Sequence, residues 1–445
     1  MVLATFMLAS VNGRYTWPYV PALVVAAGLF VLSGARVGAD RMTRALDLII
    51  IAALAYIGLQ MAPLPVAIIR VISPATPDLQ DAYSLMPLGA SRPLSIHPSA
   101  TREALGLAGT AALVFWTSRQ AFSRGGSRVA ARVLAVVGFA CAIVSLAQRA
   151  TAPSTVLWNW RLPDQRLTTF GFFVNRDHLA TWLVLVLSFT AGYLTMHVRA
   201  HMNARLRQGL RAAAVGLSDA TSLLVLASIG VMLLTLAATL SRSGFVALSA
   251  AAAVGAALAR RDRSYGVWAG MGAAAALVLA AAWMNVEGLI QRVATTISTP
   301  AADPIGRLAI WRETLRLVRT FPVFGTGQGT FSDAMFVYQQ TARQVLFNQA
   351  HNEYLQIATE GGAVLLVLVV AGVVLLMRTV RYRLMAHDGA HQFVRIGACA
   401  ALAAVGVQSI WETGLRAPAN LLLAAVLAGV AIADRRDADS EMTVA

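Results

Sequence analysis

Residues 351–378 read HNEYLQIATEGGAVLLVLVVAGVVLLMR. The first ten positions carry His351, Asn352, Glu353, Gln356 and Glu360, whereas every residue from 363 to 377 is apolar or glycine. A polar segment that runs without a break into an apolar run at 355–377 reads as a membrane helix entered from a watery surface. Working outward, ten further runs of similar character lie near 17–34, 45–64, 101–117, 130–148, 178–198, 221–240, 243–259, 266–284, 395–411 and 416–433. The 445-residue chain is 58% hydrophobic and only 13% charged, with a mean hydropathy of +0.65. These features predict an all-α polytopic membrane protein of about 11–12 transmembrane helices, the first dozen residues adding part of a twelfth. That segment lacks a basic start and a small-residue cleavage site, so it does not read as a signal peptide.

Orientation follows from arginine. Arg36, Arg41 and Arg44, then Arg119, Arg124 and Arg128, then Arg199, Arg205, Arg207 and Arg211, occupy alternate loops. Arg260, Arg261 and Arg263, then Arg378, Arg381 and Arg383, and the Arg435-Arg436 tail continue the series. Short basic loops poor in acids belong inside. The other set is then external: 65–100, 149–177, the Ser241-Arg242-Ser243 turn, 285–354, and 411–416. The chain reads as one integral membrane domain, 1–445, with external loops 65–100 and 285–354 and a cytoplasmic tail at 434–445.

The net charge of +15 sits beside spans, where it meets anionic lipid headgroups, and does not point to nucleic acid. Lysine is absent, which excludes Schiff-base chemistry and a lysine base. Cys141 and Cys399 fall inside apolar runs and read as small buried hydrophobes. No Cys/His cluster or paired-Asp pattern for a divalent ion is present, so no metal or cofactor is expected.

Four external segments could carry chemistry. In 285–354, Asp303-Pro304-Ile305-Gly306 reads as a helix start, and Phe321-Pro322 as its end. Leu308, Trp311, Leu315 and Val318 recur at helical spacing, Arg312, Arg316 and Arg319 fall opposite, and Arg307 flanks the apolar stripe. Arg307 is either a surface charge or a group aimed into a cleft. Gly325 and Gly327 belong to a Gly-Thr-Gly-Gln-Gly turn (325–329), which either closes a turn or cradles a phosphate. Second, Asn352, Gln356 and Glu360 share a stripe descending from the surface, with Glu360 about 13 Å below His351. Polar groups in a span either line a site or glue helices together. His351 is either structural or a base for a hydroxyl. Third, Arg242 lies in a tight surface turn that needs small residues but no arginine, and a guanidinium there can bind a diphosphate bidentately. Fourth, Asn175, Arg176, Asp177 and His178 follow two phenylalanines at the mouth of the fifth span, as an aromatic belt or as a substrate contact. A base, arginines and a glycine turn on one face suggest chemistry on an anionic, lipid-borne substrate.

Together these segments resemble the O-antigen ligase/polymerase family of bacterial membrane glycosyltransferases. The resemblance rests on residues 173–178, on 241–244, on 307–311 leading to 322–327, and on 351–355, and it covers roughly 150–375, with the Leu94–Pro98 stretch also similar. It implies a GT-C-type helical fold in the bacterial inner membrane. It also implies metal-independent, inverting transfer of a glycan from a polyprenyl diphosphate carrier at the periplasmic face. The acceptor is then lipid A–core for a ligase, the favoured reading, or a carrier-linked glycan for a polymerase. Carried over by position, Arg242, Arg307 and His351 are the catalytic group. Arg176, Asn175, His178, Asn352, Glu353, Gly325 and Gly327 would contact substrate, and Asp177 stands where such motifs often have a neutral asparagine. Glu353 would orient the imidazole or replace it. Outside this family, a lipid-glycan flippase would spread polar residues through the spans, yet Asp47 and Glu360 are the clearest intramembrane charges here.

Overall fold

The structure, a computed structural model, describes residues 19–38, 40–85, 88–161, 169–201, 220–260, 266–283, 306–386 and 392–434. Residues 1–18, Arg205, Arg207, Arg211, Arg261, Arg263, the first part of the large loop (285–305, with Asp303-Pro304-Ile305) and the tail from 435 lie outside it.

Each of the eleven apolar runs falls on an α-helix. They are α1 (Tyr19–Ser33), α2 (Arg44–Leu59), α5 (Pro98–Ser123), α6 (Ser127–Thr151), α7 (Arg176–His201), α8 (Ala220–Thr239), α9 (Arg242–Ala259), α10 (Gly266–Trp283), α13 (Glu353–Ala386), α14 (Gln392–Gln408) and α15 (Pro418–Ile432). Among the described residues, α6, α7, α8, α9 and α13 are long and apolar enough to cross a membrane, and α1, α14 and α15 are shorter apolar helices. The protein is an all-α, multi-pass membrane protein. Four short helices complete it between spans: α3 (Val66–Ile72), α4 (Ala75–Tyr83), α11 (Arg307–Thr320) and α12 (Phe331–Tyr338). The described strands are two-residue antiparallel pairs, Leu64–Pro65 with Ser91–Arg92 and Thr155–Val156 with Trp160–Arg161.

Helix α7 is the centre of the bundle, its apolar window wholly buried. It packs on α14 through Gly192 and Gly397; a Cβ on Gly192 would lie 2.4 Å from the Phe393 carbonyl oxygen. Without a hydrophobic drive between helices in lipid, such backbone contact between small residues supplies the packing energy. By contrast only 11% of the apolar window of α13 is buried, so that stretch is left largely to lipid.

The two ends of the bundle differ. At one, Arg119 grips buried Asp47 with both terminal nitrogens (2.7 and 3.0 Å), Trp116 and the Gly38 amide add donors, and Arg119 also reaches the Arg36 carbonyl. Arg383 there joins Asp40 at 2.9 Å and also pairs with Asp434. The segments that carry Arg36, Arg119 and Arg383 thus lie on one side. At the opposite end, α4, α11, α12 and the segment to Ala350 share a second core of Leu79, Ile310, Leu317, Phe321, Phe331 and Phe347. The loops 65–100 and 306–350 therefore form one cap, tied by His97 to Asp333 at 3.0 Å and by the Ile96 amide to the Thr326 carbonyl at 2.9 Å.

Helix α11 is turned from its expected face. Ile310, Glu313, Thr314 and Leu317 are buried, while Leu308 and Leu315 are exposed. Glu313 goes inside because its Oε1 accepts from the Thr341 amide (3.1 Å) and hydroxyl (2.8 Å), satisfying loop backbone that burial would otherwise orphan. Helix α11 ends at Phe321, before Pro322, as the sequence predicts.

Candidate functional site

The site is framed by a break in α13. Gly362 has φ +63° and ψ −166°, outside the helical region, so the helix above it cannot bond to the helix below. The chain 322–328 fills the gap. The Ala363 amide donates to the Pro322 carbonyl (2.9 Å), Thr326 N–H to Thr359 O (3.0 Å), and Gly327 N–H to Glu360 O (2.9 Å). From α2, the Tyr56 hydroxyl reaches the Gly361 carbonyl at 2.9 Å, and Gln60 Nε2 the Phe324 and Glu360 carbonyls at 3.0 and 3.1 Å. Non-helical backbone at membrane depth survives only when such partners satisfy it.

This geometry favours the turn-closing reading of Gly325 and Gly327 over the phosphate cradle. The Thr326, Gly327 and Gln328 amides all donate within the protein, the last to Gln60 Oε1 at 3.0 Å. The glycines are required by contact: a Cβ at Gly325 would sit 2.4 Å from the Glu360 carbonyl, and at Gly327 2.5 Å from Ser95 Oγ. The turn is a joint.

The joint holds the start of α13, and just before it lies His351 with φ +47°. The preceding peptide is clamped on both edges. Ala350 N–H donates to Gln356 Oε1 (3.0 Å), and Trp311 Nε1 donates to the Ala350 carbonyl (3.1 Å). Asn352 caps the helix, its Oδ1 accepting from Leu355 N–H at 3.0 Å.

The imidazole meets Glu412, with Nδ1 3.3 Å from Oε2. Glu412 is almost wholly buried (1% exposed) and its Oε1 accepts from Arg307 Nη2. Burial alone would lift this carboxyl; the hydrogen bond and charge of His351, with the charges of Arg307 and His178, outweigh it and hold it below the usual carboxylate range. In the tautomer whose Nδ1–H donates to the Glu412 carboxylate, the Nε2 lone pair is left to act as a base. Glu353 does not take that place. Its Oε1 accepts from Arg416 Nε (3.0 Å), while Arg416 Nη1 holds Glu360 Oε2 (2.7 Å), and Gln356 Nε2 contacts the other Glu360 oxygen at 3.2 Å.

Two more segments close on this group. Asn175 Oδ1 caps α7 through the Asp177 amide (2.8 Å), and Asp177 accepts from the Ser241 hydroxyl. Ser241 caps α9, accepting from Gly244 N–H at 3.2 Å. Ser243 Oγ lies 3.4 Å from Gln408 Nε2, and Gln408 in turn accepts the Glu412 amide through its carbonyl at 3.0 Å. His178 is buried below, its carbonyl accepting from Asn420 Nδ2 (3.0 Å) and its ring within electrostatic reach of Glu412 and His351.

The arginines share a position. Arg176, Arg242 and Arg307 are the first residues of α7, α9 and α11. A cation there opposes the helix dipole, which costs roughly 0.3–1 kcal/mol each and favours acids instead. Three helices that break this local rule at one end of the bundle combine guanidinium charge with the positive ends of their dipoles, an arrangement suited to an anion. Among the described residues no carboxylate pairs with Arg176 or Arg242, and both side chains are exposed.

Residues 227–370 match the family model described as O-antigen ligase. Over that stretch the chain is similar to the O-antigen ligase family. The matched segment contains Arg242, Arg307 and His351. No curated protein matches the chain. Outside the O-antigen ligase segment lie the 175–178 corner and the 411–416 turn, and with them Glu412 and Arg416, which sequence reasoning missed. A carboxylate and an arginine within a six-residue turn between two apolar runs was the available signal. Among the described residues no three of His, Cys, Asp and Glu gather as a metal set.

Proposed function

We propose that this membrane enzyme transfers a glycan from a polyprenyl diphosphate carrier to an acceptor hydroxyl, with lipid A–core the favoured acceptor, at the periplasmic face of the bacterial inner membrane. One observation carries the reading: a carboxylate-held imidazole and three helix-leading arginines meet at the end of the bundle away from the basic loops. The positive-inside pattern supports a periplasmic location for that end.

In this reading His351 Nε2 takes the proton of the acceptor hydroxyl, whose oxygen bonds to the anomeric carbon as the bond from that carbon to the diphosphate oxygen breaks. Attack opposite the leaving group inverts the centre. A positioned base is worth roughly 10²–10⁴-fold. Negative charge grows on the diphosphate, and fixed guanidinium and helix-end charge stabilise it; such preorganised electrostatics commonly contribute more to catalysis than any other effect. Arg242 and Arg176, with no carboxylate partner among the described residues, supply the donor-side contact.

The test is transfer by the purified protein from a polyprenyl-diphosphate oligosaccharide, with and without lipid A–core. A shift of lipid A–core on a gel supports the reading. A ladder that grows without it makes the enzyme a polymerase, and no covalent product from competent substrates overturns it.

A further inference from the structure

The Glu412 carboxylate is divided between two groups. Oε1 is held by one nitrogen of Arg307, and Oε2 faces His351 Nδ1 at 3.3 Å, long for a bond to a carboxylate. Arg307 is 42% exposed, so the rest of its fork is open to a ligand while Glu412 is sealed. A guanidinium binds phosphate oxygens as readily as carboxylate oxygens. Other charges that face the pair are His178, with Asp177 beside it on α7; Glu353 and Glu360 form a separate group on the single guanidinium of Arg416.

We infer that Glu412 is the positioning residue for His351 and that the donor's diphosphate competes with it for Arg307. When a donor arrives, Arg307 turns its charge to the phosphates, and the negative charge of Glu412 falls more fully on the imidazole. The base therefore strengthens only beside a loaded donor, and acceptor deprotonation follows donor binding. No bond is made or broken in this exchange; one ion pair replaces another. The inference rests on the diphosphate-borne donor proposed above and adds the order of events.

Competition is measurable without catalysis. Inorganic pyrophosphate is titrated into full-length wild type, Glu412→Gln, Arg307→Gln and the double variant by calorimetry in detergent. Freed from its carboxylate, Arg307 in Glu412→Gln should bind pyrophosphate about tenfold more tightly than in wild type, within the usual span of coupled sites. The gain should vanish in the Arg307→Gln background. In turnover, Glu412→Gln should lower kcat about 10²-fold without raising the donor KM, whereas simple loss of structure would worsen both. No gain in affinity, or an equal gain without Arg307, overturns the inference. If Glu412→Gln does not fold, a structure of wild type soaked with pyrophosphate decides: Arg307 on the anion supports it, and Arg307 kept on Glu412 overturns it. Loss of glycan transfer with the binding coupling intact would sink the proposed reaction and leave the coupling standing; the reverse result would do the opposite.

Discussion

His351 Nδ1 and Glu412 Oε2 lie 3.3 Å apart although 61 residues separate them in the chain. Between them run the whole of α13 and α14, so the pair exists only because both helix ends are anchored at one surface. The Glu353 amide donates to the Ser409 carbonyl at 2.9 Å, joining the start of α13 to the end of α14. The pairing makes the site sensitive to acid as well as to mutation.

The Glu412 carboxyl is depressed in the folded protein, so its contribution to stability is full at neutral pH and is lost as pH falls through the folded value, below the ordinary 4.5. Glu412→Gln should therefore melt below wild type at pH 7, and the gap should close in acid. Paired melting curves in detergent at pH 7 and near the acid limit of wild type check this. An unchanged gap would show that the Glu412 carboxyl titrates alike in the folded and unfolded states.

Trp311→Phe keeps an aromatic ring and removes the donor to Ala350. The lost hydrogen bond should cost about 1 kcal/mol of stability. Because His351 sits at φ +47° only while that peptide is clamped, kcat should fall about tenfold while the donor KM holds. Steady-state kinetics separate the two; an equal rise in KM would place Trp311 in substrate binding.

Gly362→Ala tests the joint. The new Cβ would lie 2.2 Å from the Val323 carbonyl oxygen at a φ of +63°, so the Pro322–Gly325 chain must withdraw. A loss of at least ~2 kcal/mol is expected from the backbone conformation alone. A variant as stable and active as wild type would mean that the break in α13 does not hold the cap.

Asp47→Asn acts at the far end. It leaves Arg119 buried against a neutral amide and should cost about 3–5 kcal/mol, seen as a lower melting temperature, with kcat of the folded fraction unchanged. Altered turnover would point instead to a path across the membrane, as a transporter requires.

Much of this was readable from local composition. Apolar runs need only their own residues to declare a helix, and the alternation of arginine-rich loops placed Arg242, Arg307 and His351 on one face before any contact was known. Other features depend on distant chain. The apolar spacing of α11 put Leu308 and Leu315 inward, but the loop at Thr341 required a buried acceptor, and Glu313 took the inner face. The glycines at 325 and 327 have the composition of a phosphate loop, and only the proximity of Glu360 and Ser95 shows what they avoid. Glu353 is close to His351 in sequence, yet Arg416 claims it. Glu412, a single acid in a short turn, carries no local pattern that names its partner.

The most direct measurement is glycan transfer from a polyprenyl-diphosphate oligosaccharide by purified wild type, His351→Ala and Arg242→Ala, each confirmed folded. Wild type should yield a covalent product, with EDTA having no effect because guanidinium supplies the charge. His351→Ala should lose roughly 10²–10⁴-fold in kcat, and Arg242→Ala should lose donor affinity and rate together. Full activity in either folded variant would contradict the account.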